Sequence, residues 1–165
     1  MSRFYTFTHA ISRHPSQSIV KGLRAVDTGT PDLALFEQHH ADYVAALRST
    51  GAHVERLDAL EDYPDSVFVE DAALCLPEGA VVMRPGAASR LGEAAEMAPT
   101  LAKFYSDIRT IEAPDFIEGG DILTTEKEIL VGTSARTTSG GIDALRCATA
   151  DWGYTVREVA TFRQR

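Results

Sequence analysis

A succession of two short strands, a helix and a further strand is predicted twice along this chain, and this repeat constrains the fold more than any other sequence feature. In the first copy, the apolar segments Ala72–Leu76 and Ala80–Met83 are joined by Pro77-Glu78-Gly79, which predicts a β-hairpin. Helical spacing of apolar residues follows over Ser89–Tyr105, and a short strand over Ile108–Ile111. This copy is therefore read as a ββαβ module.

The second copy lies about fifty residues further along the chain, a period within the range of repeat architectures. It comprises strands over Asp121–Thr124 and Glu128–Val131, a helix over Ser139–Trp152 and a strand over Tyr154–Val159. In both copies an arginine follows the second strand and precedes the helix, Arg84 in the first and Arg136 in the second. The arginines therefore occupy corresponding places in the repeat.

The N-terminal segment is a less regular version of the same pattern. It has a strand near Phe4–Thr8 and a helix over Pro31–Ser49, with Thr30 as N-cap and Gly51 at its end, and then a strand over His53–Leu57. The pattern favours an α+β chain of about three ββαβ modules, with a generic open α/β sheet as the alternative. A length of 165 residues predicts one domain, spanning 1–165.

Charge and composition limit the classes of partner. Asp and Glu outnumber Lys and Arg by 24 to 16, so the net charge of −8 disfavours nucleic acid and suits a cationic small molecule, although many acidic chains are simply soluble. The sequence has neither a signal-like N-terminus nor an apolar stretch of the ~20 residues that a membrane span needs. Two cysteines, Cys75 and Cys147, are too few for a disulfide framework, which predicts a cytoplasmic protein.

Carboxylates are concentrated in two short segments. Asp65–Asp71 is predicted to be a strand whose last residues, Glu70 and Asp71, point into one cavity. After the second helix, Glu118 and Asp121 flank two glycines that allow a tight turn. Together these carboxylates would bind a guanidinium, a planar cation that stays protonated.

Arg84 and Arg136 are candidates for binding the carboxylate of the same ligand. An anionic pocket with two arginines nearby describes a site for an amino acid with a cationic side chain. The alternative is that the two arginines cap loops and that Asp65 and Asp71 are turn residues.

Four sequence blocks, in this order, resemble the dimethylarginine dimethylaminohydrolase family of the guanidino-group-modifying, or pentein, superfamily. The blocks are Pro64–Asp71, Arg84-Pro85-Gly86, Glu118-Gly119-Gly120-Asp121 and Ser134-Ala135-Arg136-Thr137. The pair Glu70-Asp71 favours this family over the arginine deiminases. The resemblance implies a propeller of five ββαβ modules around a polar channel, of which this chain would hold about three, with Asp71, Glu118 and Arg136 facing the axis.

The resemblance also implies residue roles. The substrate-binding residues would be Leu23, Asp65, Phe68, Glu70, Asp71, Arg84 and Arg136. Asp71 would hold the guanidinium with Glu70 beside it, and Asp65 the amino end of the substrate. Leu23 would belong to a lid loop, and Glu118 would orient a catalytic histidine.

The nucleophile and the proton donor of that family have no match in this chain. The family uses a cysteine thiolate and a histidine at positions that would lie beyond Arg165, whereas all five histidines here lie in the first third of the chain. Cys75, in an apolar strand, and Cys147, in a helix, are predicted to be buried and structural. His39 and His40 are adjacent on a helix and face apart, so no metal site and no cofactor is expected.

Three hypotheses follow for the function. The first is the N-terminal part of a dimethylargininase-type hydrolase, which cleaves N-methylated arginine to citrulline and an alkylamine through a cysteine thiouronium intermediate; this part alone would be inactive. The second is a non-catalytic amino-acid-binding or assembly protein of the same fold, and the third an arginine deiminase or amidinotransferase relative. We expect neither nucleic acid nor a membrane as a partner. We expect the chain to form a homodimer or to associate with a chain that supplies the missing modules.

Overall fold

The structure, a computed structural model, describes residues 6–160. Two compact units divide the chain, Met1–Val69 and Glu70–Arg165. Whether residues 1–165 form one domain stays a prediction. None of the described helices is both long and apolar enough to cross a membrane.

The first unit contains a parallel strand pair connected through a helix. Strand β1 (His9–Arg13) pairs with β2 (His53–Leu57), and the intervening helix is α1 (Leu33–Ser49). The strand predicted near Phe4–Thr8 is wrong in its described part, because pairing begins only at His9, while Phe4 and Tyr5 lie outside the described residues.

Helix α1 begins and ends through ordinary capping. Its N-cap is Asp32 rather than the predicted Thr30, since the Asp32 side chain accepts a hydrogen bond from the backbone N–H of Leu35 at 3.1 Å. At its other end, Gly51 has φ 90°, a conformation that glycine adopts without a steric cost.

The second unit contains the two predicted ββαβ modules. In the first module, β3 (Ala73–Cys75) is antiparallel to β4 (Ala80–Val82), and β4 is parallel to β5 (Ile108–Thr110). In the second module, β6 (Ile122–Thr124) is antiparallel to β7 (Glu128–Gly132), and β7 is parallel to β8 (Thr155–Val159).

The registers of these two sheets are the same. Ala73 pairs with Val82 in the first hairpin, and the residues 49 positions further along, Ile122 and Val131, pair with each other in the second. The prediction of repeated modules is therefore confirmed at the level of individual residue pairs. The arrangement of modules around a common axis stays a prediction.

The helix of the first module is shorter than predicted. In place of a helix over Ser89–Tyr105, the chain forms 3-10 turns at Ala88–Arg90 and Ala95–Met97 and a single α-helical turn, α2 (Ala98–Leu101). Pro99 lies in the first turn of α2, where its missing N–H costs nothing, and it cannot continue a helix that begins ten residues earlier.

The helix of the second module is regular. Thr138 is the N-cap of helix α3 (Ser139–Thr149), and its side chain accepts the backbone N–H of Gly141 at 3.0 Å. A 3-10 turn (Ala150–Trp152) follows, and Gly153 caps it with φ 83°. Its apolar face supplies Ile142 and Leu145 to the core.

One apolar core joins the two modules of the second unit. Its buried members come from strands β4, β7 and β8, from α3 and from the segments that follow β3, β4 and β5. They are Leu76, Val81, Met83, Ile111, Ile117, Ile129, Val131, Ile142, Leu145 and Val156. Burial of these side chains fixes the relative placement of the turns that precede β3 and β6.

Candidate functional site

The acidic segment before β3 forms turns rather than the predicted strand. The backbone N–H of Phe68 donates to the carbonyl of Asp65 at 3.0 Å, and Val69–Asp71 is a 3-10 turn. The expected alternation of side chains is therefore absent. Asp71 is buried and Glu70 is exposed, so the two neighbouring carboxylates have different environments.

In the first unit, Asp65 supports the loop that carries Leu23. Both carboxylate oxygens of Asp65 accept the backbone N–H of Leu23, at 3.0 and 3.2 Å, and Asp65 is 5% exposed. A Cβ on Gly22 would lie 2.7 Å from Asp65 Oδ1, so glycine is needed for this approach. Leu23 is 59% exposed and Phe68 is 41% exposed.

In the second unit, Asp71 is held by a buried arginine that the sequence analysis missed. Arg90 Nη1 donates to Asp71 Oδ2 at 2.7 Å, and Arg90 Nε donates to Glu93 Oε1 at 2.9 Å. Burial lowers the pKa of Arg90, but hydrogen bonds to Glu93 and Asp71 outweigh this effect and raise the pKa above its usual value. Arg90 therefore stays a cation between two carboxylates.

A sequence signal for part of this network existed. Arg90 and Glu93 are three residues apart in a segment predicted to be helical, which is the spacing of an ion pair on one helix face. Nothing in the sequence indicates that the pair is buried or that it reaches Asp71.

The two glycines after Glu118 allow the second turn to touch the first. The backbone N–H of Gly120 donates to Asp71 Oδ1 at 2.9 Å, so both oxygens of Asp71 have partners. A Cβ on Gly119 would lie deep inside the van der Waals radius of the Glu70 carbonyl oxygen. The turn Gly119–Asp121 precedes β6 as Val69–Asp71 precedes β3, so the contact joins equivalent parts of the two modules.

Glu118 is a fully buried carboxylate beside an exposed arginine. Its exposed fraction is 0%, and Arg136 Nη1 lies 3.0 Å from Oε2 without the alignment of a hydrogen bond. Among the described residues, no donor makes a well-aligned hydrogen bond to either carboxylate oxygen of Glu118, although the backbone N–H of Gly86 lies near enough to lower its pKa. Burial raises the pKa of Glu118, and Arg136 opposes part of that rise.

The two predicted carboxylate-binding arginines have different surroundings. Arg84 Nη1 donates to the carbonyl oxygens of Pro114 and Asp115, at 3.3 and 3.0 Å, and its guanidinium lies 4.8 Å from the ring centre of Phe116. Arg136, in contrast, has its side chain 53% exposed beside Glu118. The structure therefore brings Arg136 to the acidic site, whereas Arg84 supports the loop before Ile117. A substrate contact for either arginine stays a prediction.

Asp121, the other carboxylate of this turn, is bound by two hydroxyl groups, and a guanidinium contact for it stays a prediction. Its Oδ2 accepts hydrogen bonds from Ser134 Oγ at 2.7 Å and from Thr137 Oγ1 at 2.6 Å. Asp121 is thus bound to the loop that carries Arg136.

The prediction that both cysteines are buried is wrong. Cys75 and Cys147 are both exposed, because each lies on the outer face of its strand or helix. Enough protein surrounds the Cys75 sulfur to raise the pKa of its thiol, an effect that a hydrogen bond with Tyr105 offsets only partly. A raised pKa disfavours the thiolate that a nucleophile needs.

Comparison with known proteins supports the resemblance read from the motifs. The family described as "N,N dimethylarginine dimethylhydrolase, eukaryotic" matches residues 28–165. The N(G),N(G)-dimethylarginine dimethylaminohydrolase of Pseudomonas aeruginosa is 40% identical over 136 residues, which are 82% of this chain and 54% of the relative. This chain belongs to the dimethylarginine dimethylaminohydrolase family. The family member of Streptomyces coelicolor is 34% identical over 148 residues, 89% of this chain and 57% of its own length.

Solved structures show the same α+β fold. A Pseudomonas aeruginosa dimethylarginine dimethylaminohydrolase mutant complexed with citrulline matches with a TM-score of 0.93 and 36% identity, over 96% of this chain and 63% of that one. The N-terminal domain of a cyanobacterial arginine dihydrolase matches with a TM-score of 0.79 over 93% of this chain and 57% of that one; at 16% identity it shows the fold alone. The chain spans about half the length of the curated relatives it matches.

Proposed function

We propose that this chain is the substrate-binding and histidine-orienting part of a dimethylargininase, an enzyme that releases citrulline and an alkylamine from N-methylated arginine. The observation that carries the proposal is Glu118, a buried carboxylate to which no described residue makes a well-aligned hydrogen bond. Such burial is costly, so a well-placed donor from elsewhere is expected to bind it. A histidine N–H is such a donor, and a carboxylate that accepts it fixes the ring and its tautomer.

The chemistry divides between this chain and residues outside it. A cysteine thiolate attacks the guanidinium carbon, and the departing alkylamine takes a proton from the histidine. The same histidine then removes a proton from water, which attacks the thiouronium carbon and releases citrulline and the thiolate. The contribution of this chain is to hold the substrate and to set the charge and orientation of the histidine through Glu118.

Asp71 and Glu70 are the proposed guanidinium ligands. Asp71 is fixed by Arg90 and by the N–H of Gly120, so its carboxylate is preorganised, and Glu70 beside it is exposed to a ligand. At the other end of the substrate, we propose Arg136 and Arg84 for the carboxylate.

For three residues of the first unit, we propose the roles that the family motif implies. Asp65 would bind the amino end of the substrate, and Leu23 and Phe68 would cover its apolar part. Citrulline bound to the Pseudomonas relative supports this class of ligand.

The surface formed by β6, β7 and β8 supports a further part of the proposal, that another ββαβ module packs there. A groove on this surface is lined by Leu123, Leu130, Gly132 and Val159. The shared register makes these residues the equivalents of Leu74, Val81, Met83 and Ile111, which in the first module pack against the second. Leu123 is 63% exposed and Val159 37% exposed, whereas Val81 and Ile111 are buried.

We propose that the occupant of this groove is a module from the part of the family sequence that this chain does not match. The exposed positions are apolar, and Gly132 stands where the first module has Met83, which leaves room for an inserted side chain. A homodimer through the same groove is the competing arrangement, and cytoplasmic location remains an expectation.

Complementation tests both the function and the partner. The chain is mixed with a polypeptide that covers the unmatched part of the Pseudomonas aeruginosa relative, and citrulline formation from dimethylarginine is measured alongside sedimentation equilibrium. We expect a one-to-one complex that forms citrulline, and no citrulline from the chain alone. Leu123→Glu should weaken the complex, whereas Leu35→Glu, at an exposed position of α1, should not.

The other outcomes are equally informative. A complex without activity favours the non-catalytic binding protein. Self-association that Leu123→Glu abolishes favours the homodimer. Citrulline release by the chain alone, lost in Cys75→Ser, would overturn the division of labour and make Cys75 the nucleophile.

A further inference from the structure

Asp121 ends the turn before β6, and the substrate contacts proposed above do not use it. One of its oxygens, Oδ2, accepts two short hydrogen bonds, from Ser134 Oγ at 2.7 Å and from Thr137 Oγ1 at 2.6 Å. Hydroxyl donors to a carboxylate form charge-assisted bonds, which are shorter and stronger than neutral ones. Asp121 therefore fixes where both hydroxyl protons point.

Each hydroxyl also accepts a hydrogen bond from the backbone of one member of the Glu118–Arg136 ion pair. Ser134 Oγ accepts the backbone N–H of Arg136 at 3.0 Å, and Thr137 Oγ1 accepts the backbone N–H of Glu118 at 3.4 Å. A hydroxyl has one proton and two lone pairs, so donation to Asp121 leaves acceptor capacity for these N–H groups. Asp121 is thus connected, through one side chain each, to the backbone of both ion-pair partners.

We propose that Asp121 is a positioning residue that holds Arg136 against Glu118. The inference deepens the proposed function, on which it rests for its significance, because Arg136 is the proposed carboxylate ligand and Glu118 the proposed histidine-orienting group. Arg136 lies on an exposed loop, and its own side chain is 53% exposed, so the side chain alone cannot fix its placement. The two hydrogen-bond relays from Asp121, one through Ser134 and one through Thr137, supply that restraint.

The sign of one measurable quantity separates this role from a simple charge effect. Removing the negative charge of Asp121 would, by direct electrostatics, make the Glu118 carboxylate easier to ionise and lower its pKa. Displacing Arg136 has the opposite effect, because Arg136 is the neighbour that lowers the pKa of Glu118 most. A rise in the pKa of Glu118 after loss of Asp121 therefore reports the position of Arg136.

The test is a carbon-detected NMR titration of the Glu118 carboxyl group in the full chain. We expect Asp121→Ala to raise the Glu118 pKa in the same direction as Arg136→Met, and we expect the double variant to match Arg136→Met alone. Asp121→Asn, whose amide oxygen still accepts hydroxyl protons, should stay closer to the parent chain. The control is Asp143→Asn, an exposed carboxylate paired with Arg146 on α3, which should leave the Glu118 pKa unchanged.

A Glu118 pKa that is unchanged or lowered in a folded Asp121→Ala chain would overturn the proposal, as would full additivity in the double variant. If Asp121→Ala fails to fold, Ser134→Ala and Thr137→Val each remove one relay while Asp121 stays, and each should raise the Glu118 pKa by a smaller amount. If neither does, Asp121 has no positioning role.

Citrulline binding, measured separately, keeps the two proposals distinguishable. If Arg136 binds the ligand carboxylate, Asp121→Ala should weaken citrulline binding about tenfold, the effect of losing ~1.4 kcal/mol. A raised Glu118 pKa with unchanged citrulline affinity would leave the positioning role intact and contradict the proposed function of Arg136.

Discussion

Replacement of Arg90 by methionine tests the buried network most directly. Methionine keeps an unbranched apolar side chain in place of the arginine stem and removes the charge. Arg90 is 3% exposed and contacts two buried carboxylates, Asp71 at 8% and Glu93 at 2% exposure. The variant would leave both carboxylates without the guanidinium that now neutralises them.

The size of the effect follows from this burial. Removing one partner of a buried ion pair costs about 3–5 kcal/mol, because the remaining charge is left in a low-dielectric environment. Two buried carboxylates share Arg90, so we expect a loss of unfolding free energy near the upper value, about 5 kcal/mol. For a chain of this size, that loss lowers the melting temperature by about 10–20 °C.

The assay is urea unfolding followed by circular dichroism at neutral pH, with Arg146→Met as matched control. Arg146 pairs with Asp143, but both side chains are exposed, at 46% and 71%, so the control should lose less than about 1 kcal/mol. A loss of unfolding free energy no larger than that of the control would refute the reasoning.

Three further changes test the packing and the charge of the site. Burial raises the pKa of Glu118, so its carboxyl group keeps its proton in the folded chain at pH values where the unfolded chain has lost it, and the unfolding free energy falls as pH rises from the unfolded pKa through the folded one. Glu118→Gln should flatten that part of the pH profile of unfolding free energy, and an unchanged profile would contradict this account. Gly119→Ala places a methyl group against the Glu70 carbonyl oxygen and should lower the unfolding free energy in urea by about 1–3 kcal/mol. Gly86→Ala is the control, because its new methyl group would lie 3.4 Å from the nearest atom, and it should cost much less; equal losses would argue against the clash. Trp152→Phe removes the hydrogen bond from the indole N–H to Asp107 Oδ2 at 3.0 Å and should lower the unfolding free energy by about 1 kcal/mol. Thermal unfolding measures the change, and an unaltered melting temperature would contradict a stabilising role for this bond.

The strands of the repeat could be predicted from the sequence because their signal is local. Apolar runs bounded by turn residues identified β4 and β7, and the helical period over α1 and α3 is complete within each segment. The motifs also indicated the family and the positions of the acidic segments 65–71 and 118–121. These features depend on neighbours within a few residues, which the sequence displays directly.

The predicted helix over Ser89–Tyr105 failed for a reason that was also local. Pro99 permits a helix to begin beside it but not to pass through it, and the apolar spacing concealed that interruption. The alternation predicted over Asp65–Asp71 failed because the backbone N–H groups there bond to carbonyls two or three residues earlier, in turns, and not to a partner strand.

Only the tertiary structure decided which charged groups meet and which are buried. Asp71 and Arg90 are 19 residues apart, and Glu118 and Arg136 are 18 apart, so no local spacing connects them. The same applies to the separation of roles between Arg84 and Arg136, which occupy corresponding places in the sequence repeat but different surroundings. The sequence by itself determined the modules and the types of charge near each turn; packing of the shared apolar core determined their partners, because the energy of a charge depends on the distance and desolvation that the fold imposes.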